Sequence, residues 1–158
     1  MSIAYRPMRL GQEDAVAMLV RKLPRDLGLD VQPAITGDIL RGWKDDVHVI
    51  VADDSGLLCG LCVWFQHFST WRGLKGCYIS DLYVMEHLRG RNIGFGLMRA
   101  AARAAKANGA GYLRLDVTTL NAAPEAFYTK LGFVADREDL SMFMEPEIFH
   151  NFAGDIKS

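Results

Sequence analysis

The sequence predicts an α/β (α+β) fold, a mixed and mostly antiparallel sheet of about six to seven strands flanked by about four helices. Three observations carry this expectation. The chain has 158 residues and is 50% apolar, enough for a single domain spanning 1–158 with its own core. Its hydrophobic period switches repeatedly between helical and strand spacing. A hairpin turn, DDSG, also joins two of the central strand-like segments as antiparallel neighbours.

The elements can be justified in order. IAYRPMRL opens as a short strand. From Glu13 onward, Val16, Leu19, Val20 and Leu23 recur at helical spacing, and Pro24 is expected to stop that helix. Residues 25–35 read as a loop. Thr36 is suited to cap a second helix to about Trp43, with Asp38 in its positive first turn. VHVIVA, the turn DDSG and LLCGLCVWFQHF then form a hairpin, and CYISDLYV is a further strand ending at Val84. A loop rich in Gly and Arg follows. It leads into a helix with Leu97, Met98, Ala101 and Ala105 on its apolar face and Arg99, Arg103 and Lys106 on a solvated stripe. Asn108-Gly109 ends this helix, and YLRLDV is a strand. Asn121 is placed to cap the next helix, with Pro124 in its first turn and Gly132 just past its end. FVAD and LSMFME are strand-like. The expected order is β-α-α-β-β-β-α-β-α-β-β.

Charge and cysteine content narrow the function. A formal net charge of -1 argues against a dedicated nucleic-acid binder. The charge is uneven, however. Arg89, Arg91, Arg99, Arg103, Lys106 and Arg114 lie close together in sequence with only Glu86 among them, which suggests an anionic small molecule. No stretch approaches the roughly 20 apolar residues of a membrane helix, and the start lacks the long apolar run of a signal peptide. An odd count of three cysteines suits a reducing, cytoplasmic setting. Cys59-Gly-Leu-Cys62 resembles a CxxC pair, but residues three apart on a strand face opposite sides. Together with Cys77 they are expected to be core thiols, and no metal is expected.

The stretch HLRGRNIGFGLMRA, residues 87–100, holds the main functional signal. A strand that ends in a Gly-rich loop opening a helix presents free N–H groups and the positive end of a helix dipole to an anion. Arg89 and Arg91 can add charge-assisted contacts. A P-loop is excluded because Gly-Lys-Ser/Thr is missing. A dinucleotide fingerprint is excluded because Arg99 stands where a third glycine is needed.

Two motifs here resemble the GNAT superfamily of acetyl-CoA-dependent N-acetyltransferases. The first is the family's pyrophosphate loop, V-x-x-x-x-R-G-x-G-I-G, which is matched by Val84, Arg89, Gly90, Arg91, Asn92, Ile93 and Gly94. Asn92 replaces a glycine, and asparagine is one of the few residues that tolerate left-handed backbone angles. A second register, Arg91-x-x-Gly94-x-Gly96, also fits; the first keeps the family's spacing from Val84. The second motif is NAAPEAFYTKLGF at 121–133, in which Asn121 precedes Phe127-Tyr128 by the family's spacing. Trp71-Arg-Gly73 and Tyr78-Ile-Ser-Asp81-Leu-Tyr-Val84 further resemble the diamine (spermidine/spermine) N-acetyltransferase branch.

The resemblance implies acetyl-CoA as co-substrate, bound over residues 82–96: Leu82, Tyr83, Val84, Arg89, Gly90, Arg91, Asn92, Ile93, Gly94, Phe95 and Gly96. The backbone of Leu82 and Val84 would pair with the pantetheine amides, and Asn121, Phe127 and Tyr128 would complete the cofactor contacts. Asn121 also suits an N-cap. Tyr128 is implied as the acid that protonates the leaving thiolate. The branch's glutamate on the strand is replaced by Ser80, which leaves Asp81, or water relayed along the strand, for the base. Asp81 could equally serve as a structural hydrogen-bonding group. Asp26, Asp30 and Asp38 would suit a cationic amine, and Trp64, Trp71 and Tyr83 an aromatic wall. Glu86, His67 and His87 read as surface or satisfied groups. The expected reaction is direct attack by a small primary amine, diamine-like or a basic amino acid, on acetyl-CoA. The alternatives are a protein amine as acceptor, or a non-catalytic acyl-CoA sensor. Relatives in the branch imply a homodimer.

Overall fold

The computed structural model describes residues 1–154. Its five strands are β1 (Ile3–Pro7), β2 (Val47–Asp54), β3 (Leu57–Ser69), β4 (Leu74–Val84) and β5 (Ala110–Leu115), and they lie in the sheet in that same order. Neighbours are antiparallel except β4 and β5, which run parallel. A parallel pair needs a crossover, and the 15-residue α4 (Ile93–Ala107) supplies it. The other helices are α1 (Glu13–Val20), α2 (Leu23–Asp26), α3 (Gly37–Gly42), α5 (Ala122–Lys130) and α6 (Pro146–Ala153). The chain divides into two compact units, Met1–Val117 with the sheet and α1 to α4, and Thr118–Ser158 with α5 and α6.

In the first unit, α1 and α3 pack on Val49, Val51, Leu61, Val63 and Tyr83 through Val16, Ala17, Leu19, Val20 and Leu40. Ile50 alternates to the other face, where it lines a cleft with Ala100 and Ala104 of α4. The face of α4 that packs on the sheet is the expected one: Leu97, Met98, Ala101 and Ala105 are buried. The turn between β2 and β3 has positive φ at Ser55 (54°) and Gly56 (100°), the pattern that matches the twist of a two-residue hairpin. Thr36 caps α3 by accepting a hydrogen bond from the Ile39 N–H at 3.2 Å. Pro24 does not end α1, which stops at Val20; it sits in the first turn of α2, where its missing N–H costs little. All three cysteines are free and buried.

Gly60 ties the sheet to the loop that follows β4. It pairs with Val84, and a Cβ there would lie 2.5 Å from the Tyr83 carbonyl oxygen. That atom is backbone in a paired strand and cannot swing aside. Gly60→Ala is therefore expected to destabilise the protein by about 1–3 kcal/mol, the usual cost of overpacking. A lowered urea midpoint at unchanged slope would show it.

In the second unit, α5 is capped as the sequence suggested: Asn121 Oδ1 accepts from the Ala123 N–H at 3.0 Å. The expected strands FVAD and LSMFME are not strands, so five strands are described where six to seven were expected. Phe133 is taken into the end of α5, its N–H bonding back to the Tyr128 carbonyl at 3.1 Å while Gly132 turns with φ 101°. The apolar alternation of residues 140–145 meets no ladder among the described residues, and alternation makes a strand only where a neighbour accepts its hydrogen bonds. Leu140, Met142 and Phe143 are accordingly exposed. Pro146 opens α6, a helix with no counterpart in the expected order.

Candidate active site

The site in the first unit begins with an extra residue. Val63 of β3 pairs with Asp81 and Trp64 with Ile79, so Ser80 is a bulge on β4. A bulge bends its strand and sharpens the local twist. On the opposite edge, β4 pairs with β5 only from Lys75 to Ile79. From Ser80 to Val84 that edge carries no strand among the described residues. The Met85 N–H bonds to Cys59 of β3 at 2.9 Å. By period-two alternation Tyr83 turns the same way, while Leu82 and Val84 turn their main-chain groups to the open edge. Leu82 and Val84 were the two residues expected to offer backbone pairing there.

Arg89 is placed by three partners. Its Nη2 donates to Asp26 Oδ2 at 2.6 Å and its Nε to the Val84 carbonyl at 3.0 Å, and the guanidinium lies 5.8 Å from the Tyr83 ring centroid. These contacts hold the start of the loop against β4 and α2. Arg91, beside it in the loop, is exposed and without an ion pair among the described residues. Asp26 carried no signal for this pairing, because it lies 63 positions away in sequence.

The loop's turn is set by Gly90 (φ 77°) and Asn92 (φ 62°). Asn92 thus takes the left-handed conformation that its glycine-like position requires. It makes no capping hydrogen bond to α4, and the first α4 turn holds no acidic residue. The first main-chain bond into the helix is Gly96 N–H to Asn92 O at 3.0 Å. The N–H groups of Ile93, Gly94 and Phe95 stand at the positive end of the helix with no side-chain cap, the geometry of an anion cradle.

Asp81 lies half-buried at the bulge. The Ser80 hydroxyl donates to its Oδ2 at 2.9 Å. Burial pushes the Asp81 carboxyl above its ordinary range, and the Ser80 hydrogen bond opposes this only in part. Ser80 carries no carboxylate, but its hydroxyl orients the carboxyl group beside it. A second pair was not foreseen from sequence. The Tyr78 hydroxyl donates to Asp116 Oδ2 at 2.5 Å, and burial first, then this bond, push the tyrosine up to about 12. It forms because β4 and β5 run side by side, which no local motif encodes.

The remaining candidates sort by what they touch. Asp38 pairs with Arg41 at 2.5 Å and Asp26 with Arg89, so of the three N-terminal carboxylates Asp30 alone is exposed without an ion pair among the described residues. Trp64 and Tyr83 are core residues and Trp71 is fully exposed, so these aromatics do not form a shared wall. His67 is satisfied, its Nδ1 2.5 Å from the Tyr112 hydroxyl. In the second unit, Asn121, Phe127 and Tyr128 share α5. Tyr128 is half-buried, edge-on to Phe127 at 5.1 Å and to Phe133 at 5.6 Å between ring centroids. Among the described residues no group of three His, Cys, Asp or Glu could hold a metal, and no helix is long and apolar enough to cross a membrane.

Comparison with known proteins gives this architecture its family. The model of the acetyltransferase (GNAT) family matches residues 18–133, from α1 through the loop and α5. The chain belongs to the GNAT family. It is an acyltransferase of a family whose co-substrate is acetyl-CoA. Thialysine N-epsilon-acetyltransferase of Mus musculus is 28% identical over 154 residues, covering 88% of this chain and 90% of that one. Streptothricin acetyltransferase of Streptomyces lavendulae is 33% identical over 115 residues, which is 73% of this chain and 57% of that protein. In fold, an integron cassette protein from the mobile metagenome of V. cholerae superposes with a TM-score of 0.78 at 22% identity, covering 98% of this chain and 99% of that one. The mixed GNAT sheet expected from sequence is therefore the observed class, with the strand count reduced as described.

Proposed function

We propose that this GNAT enzyme moves an acetyl group from acetyl-CoA to a primary amine of a small cationic molecule, diamine-like or a basic amino acid, by direct attack. The observation that carries the reading is the bared edge of β4 at Leu82–Val84, running into the uncapped start of α4, with half-buried Asp81 at the bulge. The edge suits pantetheine amides as an added strand would. The cradle at residues 89–96 suits a diphosphate, through main-chain N–H groups and Arg91. Asp81, with its raised pKa, suits removal of a proton from an ammonium group before attack. Tyr128 suits protonation of the departing thiolate. The names of the mouse and Streptomyces relatives support an amine acceptor. Family membership favours turnover over a sensor. Chain length supports a single domain, the three free cysteines a cytoplasmic setting, and resemblance to the diamine branch a homodimer.

A panel of diamines, basic amino acids and lysine peptides, read by release of free thiol, tests the acceptor. Small cationic amines are expected to turn over fastest; a preference for peptides would transfer the assignment to protein amines. Asp30→Asn is expected to raise KM for a cationic amine about fivefold, the scale of one exposed charge pair, with acetyl-CoA affinity unchanged. The measurement is steady-state kinetics at saturating acetyl-CoA.

A further inference from the structure

A cleft of about 530 Å³ lies between β1 and α4, on the side of the helix next to the edge strand. Its residues all belong to the first unit, and the proposed reaction uses none of the groups that give it its charge. Arg99 and Arg103 are four residues apart on α4, so they line the same side of the helix. Both are exposed, and neither has a carboxylate partner among the described residues. The third arginine on the wall, Arg6, is already committed. Its Nη2 and Nε both donate to Asp53 Oδ2, at 2.5 and 3.1 Å. No acidic residue lines the cleft.

The opposite wall is built with close tolerance. Tyr5 lies over Gly96 so closely that a Cβ on Gly96 would come 2.1 Å from the ring. Only glycine lets the ring sit there. The Tyr5 hydroxyl therefore lies beside α4, where a phenol is a donor at neutral pH. A pocket with two uncompensated guanidinium groups, a phenol on its wall and no carboxylate is chemically matched to a compact dianion. Guanidinium favours phosphate in particular, because its planar donors engage two oxygens at once.

We propose that the β1–α4 cleft is a phosphomonoester-binding site, with Arg99 and Arg103 holding the dianion and the Tyr5 hydroxyl donating to it. Two sources share this chemistry: the 3′-phosphate of coenzyme A itself, or a separate phosphorylated small molecule.

The test compares the wild-type chain with R99A/R103A, both shown to be folded by thermal melting. Inorganic phosphate is titrated calorimetrically with and without acetyl-CoA, and acetyl-CoA is compared with its 3′-dephospho form. Loss of charge-assisted contacts should weaken the phosphate ester by at least about tenfold in the double variant. If the cleft serves the cofactor, wild type prefers acetyl-CoA over the dephospho form and the variant loses that preference. If it serves a separate ligand, acetyl-CoA affinity is unchanged, while phosphate binds the acetyl-CoA complex of wild type and not of the variant. Tyr5→Phe should weaken the same binding to a smaller degree. The proposal is overturned if R99A/R103A alters neither phosphate binding nor the 3′-phosphate preference. The phosphate arm needs no turnover and no acetyl-CoA, so its outcome is independent of the acetyl-transfer reading.

Discussion

Tyr128→Phe is expected to lower kcat about a hundredfold while acetyl-CoA affinity stays within about twofold, the signature of a lost general acid. The substitution is well matched to its surroundings. Tyr128 stacks edge-on with Phe127 and Phe133, and phenylalanine keeps that ring geometry while deleting only the hydroxyl. A fall in kcat therefore reports on the hydroxyl and not on the packing of α5. Thiolate departure without an acid is slower in proportion to the basicity of the leaving group, so acetyl donors with more acidic thiols should be less affected. Pre-steady-state thiol release, measured for both proteins with the same amine, checks this. Unchanged release would remove Tyr128 from the mechanism.

Asp81→Asn is expected to lower kcat by a similar factor of about a hundred and, at the same time, to raise the melting temperature at neutral pH. Both follow from one property. Burial raises the Asp81 pKa above its value of 3.8 in the unfolded chain, so the native state binds the proton more tightly. The associated stabilisation is fully present below the unfolded value and is lost as pH rises through the raised native value. At neutral pH the ionised, half-buried carboxylate thus destabilises the fold, and a neutral amide of the same shape relieves that cost. The melting temperatures of wild type and Asp81→Asn should converge toward acid pH and separate above it. The rate in wild type should rise with pH through the same window, as the base is freed. A variant that loses stability and keeps its rate would show that Asp81 only ties the bulge together through Ser80.

The sequence made most of the first unit legible, for identifiable reasons. Period-two runs bounded by turn residues marked β2, β3 and β4, and Leu97, Met98, Ala101 and Ala105 marked the face of α4. Asn92 could be read as a left-handed residue from its place in the loop, and it is one. What sequence could not supply was pairing between distant residues. Arg89 was legible as a cation beside a loop but not as the partner of Asp26. The bulge at Ser80 exists only as a mismatch between two strands, so nothing in β4 alone announces it. The errors in the second unit have the same origin. Residues 133–145 have strand-like composition, yet a strand is defined by its neighbour, and Phe133 is instead drawn into the C-terminal turn of α5.

The catalytic proposals above share one premise, that the amides at the start of α4 receive the diphosphate of coenzyme A. Calorimetric titration with acetyl-CoA, set beside acetyl-pantetheine, tests it most directly. The expected result is saturable binding of acetyl-CoA well below millimolar concentration and much weaker binding of the fragment that lacks the diphosphate. No heat and no thermal shift with millimolar acetyl-CoA, or equal affinity for the two donors, would contradict it.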